Sequence, residues 1–335
     1  MTSPHVSVVI PIYNEEAGLA ALFARLYPAL DALPCSYEVI LVDDGSRDRS
    51  PALLREQFQR RPDVTRVVLL DGNYGQHPAI MAGFEQCRGD VVVTLDADLQ
   101  NPPEEIVHLV AKFDEGYDYV GTIRRMRRDT AFRRVASRTM NRLRERTTRI
   151  KMTDQGCMLR AYSHSIIDAI NSCTEANTFI PALAYTFARN PVEIEVAHEE
   201  RAAGESKYSL YKLVRLNFDL MTGFSLMPLQ LFSLLGMVIA LVSMLTYFVV
   251  MIERLIASDS IWTALAAFYD RDILQFFLLG TALFGIGLLG EYVGRIYEQV
   301  RGRPRYRVGA ILERQDHAAA AVPHIPVHEQ RAGPR

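Results

Sequence analysis

Neither sign of charge dominates the 335 residues: 37 Lys and Arg stand against 39 Asp and Glu, a net charge of −2. No global basic field is available to hold a nucleic acid, so no nucleic-acid partner is expected. Cysteine is scarce: Cys35, Cys87, Cys157 and Cys173 lie far apart, with no C-x-x-C pair. They read as reduced thiols of a cytosolic domain, which excludes a zinc site or a disulfide framework. Met1 to Pro11 runs straight into a strand pattern, so no cleavable signal peptide is expected. No internal repeat is visible.

Charge is also absent locally. No charged residue occurs from Met221 to Ile252, and none from Ile273 to Gly290. A bilayer-spanning helix needs about 20 predominantly apolar residues, so residues 231–252 and 273–292 are expected to form a transmembrane hairpin. Lys207, Lys212 and Arg215 precede it, while Arg295, Arg301, Arg303, Arg305 and Arg307 follow it. The short-loop excess of basic residues then places both termini in the cytoplasm. Before the hairpin, residues 207–230 mix apolar positions with Lys212, Arg215 and Asp219, which suits an amphipathic segment on the bilayer surface. Gly280, Gly285, Gly287, Gly290 and Gly294 offer small surfaces for close helix contacts, either within one hairpin or between copies. The tail, 310–335, shows no periodicity and is expected to be disordered.

Residues 1–206 have a different texture. VSVVIPIY, YEVILVDD, VTRVVLLD and DVVVTLDAD are short β-branched runs, separated by the helix-length stretches Glu16–Leu33, Ser50–Arg60 and Gln76–Cys87. Such alternation predicts an α/β domain with a parallel sheet covered on both faces. Ligands bind such sheets at the carboxyl ends of the strands. Tyr13-Asn14-Glu15, Asp43-Asp44-Gly45-Ser46, Asp71 to Gly75, and Asp96-Ala97-Asp98 all fall there. Each alone reads as a turn or cap, but four on one edge favour a shared ligand. Asp96 and Asp98 repel each other unless a cation sits between them. Oxygen ligands of this kind suit Mg²⁺ or Mn²⁺, which keep positions open for phosphate.

PIYNE, DDGS and LDADLQNPPEE, in this order, resemble the family 2 glycosyltransferases of the GT-A fold, and the hairpin resembles the polyprenyl-phosphate branch of that family. GNYGQHPAIMAGFE, TDQGCMLRAY, NTFIPALAYTFAR and HEERAAGESKYS narrow the resemblance further. It implies a UDP-4-deoxy-4-formamido-L-arabinose donor and an undecaprenyl phosphate acceptor, at the inner membrane of a bacterium. By the same resemblance the product feeds lipid A modification and polymyxin resistance, and the protein is a tetramer. The likeness runs from about Val6 to Tyr306; Gln155 departs from it, where an aromatic residue is expected.

Carried over by position, the resemblance implies that Pro11, Tyr13, Glu15 and Asp44 hold the uridine. Asp96, Asp98 and Gln100 would bind the metal bridging the diphosphate, with Arg201 and Lys207 closing over it. Arg124, Arg133 and Ser137, from the basic run after YDYVGT, would dock the acceptor phosphate; the plain reading of that run is a solvated or lipid-facing surface. Asp154 takes the family's base-like position. A lipid phosphate, with a second pKa of about 6, is already largely dianionic at neutral pH, so orientation is as open to Asp154 as proton removal. His77 is left without a role.

Three rivals stand beside this. A polyprenyl-phosphate transferase for another sugar, glucose or mannose, has the same motifs. A processive synthase would carry a Q-x-x-R-W motif, whereas the sole tryptophan, Trp262, lies in the loop between the spans. A non-catalytic scaffold on a retired transferase fold would be expected to lose its metal carboxylates, which are present here.

Overall fold

The computed structural model describes residues 4–124, 152–154, 156–173, 179–199, 229–234, 236, 238 and 271–314. The four apolar runs become β1 (Val6–Ile12), β2 (Tyr37–Asp43), β3 (Thr65–Leu70) and β4 (Val91–Thr94), all mutually parallel. The helices between them are α1 (Leu19–Asp31), α2 (Ser50–Arg60) and α3 (Gln76–Phe84). After β4 come α4 (Ile106–Asp114), β5 (Tyr119–Arg124), β6 (Arg160–Ser163), α5 (His164–Ser172), α6 (Ile180–Phe187) and β7 (Pro191–Val196). The chain ends in a long helix, α7 (Arg271–Arg301), and a short strand, β8 (Val308–Leu312).

The eight strands form one sheet in the order β7-β5-β6-β4-β1-β2-β3-β8. Strands β6 and β8 run against their neighbours; the rest are parallel. Strand β1 is central, and its alternate residues feed two cores. Val8 and Ile10 pack toward α1 and α4, while Val9 joins Ile80 and Phe84 of α3. Full burial of each such side chain stabilises the fold by about 1.5–3 kcal/mol. Gly83 marks how closely α3 lies on the sheet: a Cβ there would sit 2.4 Å from Val9 Cγ1. A leucine at position 83 would push the helix off β1.

The C-terminal region departs from expectation at one point. Residues 308–312, whose latter half falls in the expected structureless tail, form β8 and pair antiparallel with β3 from Val67 to Leu70. The strand closes an otherwise open sheet edge and brings Glu313 to Arg66 and Arg88, which repays the ordering of the chain. Residues 315–335 lie outside the described residues.

Helix α7 covers the second expected span. At about 1.5 Å per residue it is ~45 Å long. Among the described residues no helix is long and apolar enough to cross a membrane; the side chains of 271–277 and 280 are not among those described. Most of the first expected span, and the juxtamembrane stretch up to 228, lie outside the described residues. Residues 229–234 are helical. There Phe232 packs directly on α7, where a Cβ at Gly285 would come within 2.1 Å of its ring.

Candidate active site

The carboxyl ends of β1, β2, β3 and β4 form one edge, and hydrogen bonds between loops shape it. After β1, Asn14 turns the chain with φ 54°, a left-handed conformation that asparagine tolerates better than most residues. Its Oδ1 accepts the Arg47 N–H at 2.8 Å, and its own N–H donates to Ser46 Oγ at 2.9 Å. The Glu15 N–H donates to Ser50 Oγ at 3.0 Å. The PIYNE and DDGS motifs are thus one bonded unit, and Tyr13 stands exposed above it.

Asp43 and Asp44 are both buried but have separate tasks. Asp44 accepts the Tyr74 and Gly75 N–H groups at 2.8 Å each, one per oxygen, which fixes the loop after β3. Asp43 Oδ2 accepts the Ser46 N–H at 3.2 Å, while its buried Oδ1 meets no hydrogen-bond partner among the described residues. Burial raises the pKa of both carboxyls. Gly45, at φ +67°, lies against the next loop, where a Cβ would be 2.4 Å from the Gly72 carbonyl carbon. A cleft of about 400 Å³ opens between these loops, lined by Asp43, Ser46, Arg47, Asp71, Gly72 and Asn73 among others.

At the tip of β4 the chain reverses through Leu99, at φ 59°. Asp98 Oδ1 accepts the Gln100 N–H at 3.1 Å, and Gln76 of α3 donates its side-chain amide to Asp96 Oδ1 at 2.6 Å. Asp96 and Asp98 are both half-buried. Among the described residues no group of three or more His, Cys, Asp or Glu gathers round a metal position. The donor set nonetheless fits a hard divalent cation: two carboxylates and the Gln100 side chain are all oxygen donors, and few enough to leave places for phosphate and water.

On the far side of β4, Arg124 ends β5 and meets Asp154 at two points, Nε to Oδ2 at 2.6 Å and Nη2 to Oδ1 at 2.8 Å. The Asp154 carboxylate raises the Arg124 pKa, and Asp96 adds a smaller contribution, so the pair is electrostatically continuous with the β4 tip. Beneath it, the fully buried Arg160 holds the Asp154 loop from below. Its Nη2 donates to the Asp154 carbonyl at 2.5 Å, its Nε to the Cys157 carbonyl at 2.8 Å, and its Nη1 to the Tyr119 hydroxyl. The Cys157 thiol bonds Asn101 Oδ1 at 3.3 Å, tying this loop to the turn after Asp98.

Of the residues predicted from sequence, Pro11, Tyr13, Glu15, Asp44, Asp96, Asp98, Gln100, Arg124 and Asp154 come together on this one edge. Arg133, Ser137, Gln155, Arg201 and Lys207 lie outside the described residues. Arg124 and Asp154, given separate roles from sequence, form one unit. Asp44 bonds the β3 loop with both oxygens, leaving Asp43 as the carboxylate with an open acceptor. Gln76, Asp43 and Arg160 have roles that the sequence does not assign, although each lies inside a quoted stretch: Gln76 in GNYGQHPAIMAGFE, Asp43 in the Asp43-Asp44-Gly45-Ser46 cluster and Arg160 in TDQGCMLRAY.

A single mostly parallel sheet with carboxylates gathered at the strand ends is the architecture of a GT-A glycosyltransferase, and residues 7–170 match the glycosyl transferase family 2 model. Undecaprenyl-phosphate 4-deoxy-4-formamido-L-arabinose transferase of Edwardsiella ictaluri is 52% identical over 93% of this chain and 95% of its own. The protein of the same description from Pseudomonas paraeruginosa is 51% identical over 98% of this chain and 94% of its own. The chain belongs to this undecaprenyl-phosphate 4-deoxy-4-formamido-L-arabinose transferase family. Among solved structures, glucosyl-3-phosphoglycerate synthase from Mycobacterium tuberculosis, determined with Mn²⁺, UDP and phosphoglyceric acid, is similar at a TM-score of 0.48. It is 19% identical, over 65% of this chain and 76% of that one.

Proposed function

We propose that the protein transfers 4-deoxy-4-formamido-L-arabinose from its UDP-sugar to undecaprenyl phosphate, with inversion at the anomeric carbon. The observation that carries this is the near-complete match to relatives of that description, at about half identity, in a chain that retains the carboxylate edge. The uridine is held by Pro11, Tyr13 and Glu15. Asp43, with its open Oδ1, and Asp44, which shapes the cleft, complete that subsite. Asp96, Asp98 and Gln100 would hold Mg²⁺ or Mn²⁺, whose chemistry there is to offset the charge of the departing diphosphate. Gln76 keeps the Asp96 carboxylate turned to that position. Arg201 and Lys207 close on the diphosphate.

The acceptor is a phosphate dianion at neutral pH, so no base has to remove a proton from it. A phosphate oxygen attacks the anomeric carbon, a new C–O bond forms, and the bond to UDP breaks with its electron pair leaving on the diphosphate. Asp154, committed at both oxygens to a guanidinium, orients Arg124 rather than accepting a proton. The Arg124 Nη1 edge outside the pair, with Arg133 and Ser137, grips the acceptor phosphate.

The membrane places this chemistry. Helix α7 carries the uncharged stretch Ile273–Gly290, and it turns Leu279, Leu283, Phe284, Ile286, Leu289, Val293, Ile296 and Val300 outward, each more than half exposed. Such a surface is unfavourable in water and suits lipid. With the Phe232 contact at Gly285, it supports a hairpin anchoring the catalytic domain at the cytoplasmic face. Gly287, Gly290 and Gly294 have open space beside them and offer the surface for a tetramer. The test is UDP release by purified protein given undecaprenyl phosphate and a panel of UDP-sugars. Transfer of the formamido-arabinose alone supports the reading, glucose or mannose transfer moves it to another branch of the family, and no release from any donor defeats it.

A further inference from the structure

We propose that the segment returning from α7 to the sheet, residues 303–313, is a strap that sets one wall of the nucleotide cleft, with Arg307 as a positioning residue acting through Asp71. The inference rests on reading that cleft as the nucleotide subsite.

The strap is fastened at three places. At its far end Glu313 lies 2.7 Å from Arg88 Nη2 and 3.3 Å from Arg66 Nε, and all three side chains are largely buried. Its middle is the ladder of β8 on β3, whose register shifts between Leu69 and Leu70, just where β3 enters the cleft-forming loop. At its near end Arg305 reaches Met81 Sδ at 3.1 Å and the Cys173 carbonyl, while Tyr306 packs on the α3-side core.

Arg307 then meets the loop directly. Its Nε lies 3.0 Å from Asp71 Oδ2, and its carbonyl accepts the Asp71 N–H at 3.1 Å. The Tyr74 hydroxyl donates to the other Asp71 oxygen. The Tyr74 N–H in turn donates to Asp44, so one bonded path runs from the strap through Asp71 and Tyr74 to the DDGS motif. Asp71, Gly72 and Asn73 are the cleft wall on that path. An isolated surface ion pair contributes little; this one acts together with the Asp71 N–H bond to the Arg307 carbonyl, on a loop that lines the cleft. The strap begins at the end of α7, so the helix proposed to sit in lipid also supports the donor pocket.

The test uses full-length protein in detergent, with UDP affinity measured by calorimetry in Mn²⁺ and the steady-state constants for donor and acceptor. Arg307→Ala is expected to weaken UDP binding and raise the donor KM together, about three- to five-fold, with kcat and the acceptor KM held within about two-fold. Arg307→Lys should recover most of the loss. Asp71→Asn and the double variant should match each other, because the Arg307 effect passes through Asp71. Unchanged UDP affinity in Arg307→Ala, or full additivity with Asp71→Asn, would overturn the strap while leaving the cleft assignment intact. A wild-type protein that binds no UDP would instead overturn the nucleotide reading on which the strap depends.

Discussion

Arg124 and Asp154, thirty positions apart in sequence, are held face to face by two parallel hydrogen bonds of 2.6 and 2.8 Å. Space for the pair is provided by Gly156, where a Cβ would approach Arg124 Nη2 to 3.0 Å. Both partners are mostly shielded from solvent. A charge-assisted fork of this kind fixes the guanidinium plane as well as its position.

Asp154→Asn should therefore separate binding from turnover. The amide keeps the shape but loses the charge, and one of its two positions now donates toward Arg124. Misplacement of a reacting group by about 1 Å can cost ~10²-fold in rate, so kcat is expected to fall on that order. UDP affinity should stay near wild type, since the pair does not line the cleft between the β2 and β3 loops. Wild-type turnover in Asp154→Asn would remove the pair from the mechanism.

A second prediction concerns the β4 tip. Asp98→Ala should abolish the Mg²⁺- or Mn²⁺-dependent part of UDP binding. Gln76→Leu, which frees Asp96 from its 2.6 Å amide contact, should weaken the metal requirement less, about ten-fold at most if one charged-acceptor hydrogen bond is at stake. Calorimetry with and without EDTA reads both. UDP binding by Asp98→Ala that equals wild type, and ignores EDTA, would refute the metal assignment.

The half of the fold built on local pattern was legible from sequence, and the half built on distant pairing was not. Ser50–Arg60 is the same helix in sequence and structure because Ser-Pro starts it and its apolar spacing is regular. The parallel strands β1 to β4 were visible because both their faces are buried. Strand β8 gave no such signal: VGAIL is short, follows an arginine-rich stretch, and becomes a strand only because β3 presents an unpaired edge. The site divided in the same way. Motifs located the carboxylates, but adjacent Asp43 and Asp44 carry the same local signal. Which of them holds the β3 loop depends on where Tyr74 and Gly75 arrive. Arg160 reads as one more basic residue in sequence, and its burial depends on the pairing of β6 with β4 and β5.

The network at the end of β8 gives a stability prediction. Burial lowers the Arg66 pKa, and Glu38 and Glu313 oppose that shift. Removing one member of a buried ion pair leaves its partner uncompensated, at a cost of about 3–5 kcal/mol. Arg88 and Glu38 remain in Glu313→Gln, so a loss toward about 3 kcal/mol is expected, read from denaturant unfolding of the full-length protein. Activity at low temperature should survive if the fold does. A Glu313→Gln protein as stable as wild type would mean that the Glu313 ion pairs add nothing to the other contacts that hold β8.

His77 supplies a prediction in pH. Its Nδ1 is buried without a hydrogen-bond partner among the described residues, and its ring lies edge-on to Phe179 at 5.3 Å. Burial alone lowers its pKa from 6.5 to about 4, with no charged neighbour contributing. The sign follows from proton counting. Between pH 6.5 and 4 the unfolded chain binds a proton that the folded protein refuses, so acidification favours unfolding over that window and has no effect through this residue above it. His77→Phe keeps an aromatic ring against Phe179 and removes the titration. Melting temperatures of the two proteins should therefore run parallel from pH 8 to 7 and diverge from pH 6.5 toward 4.5, with the wild type falling faster. Parallel curves across the whole range would show that His77 gains a proton as readily in the folded protein as in the unfolded chain.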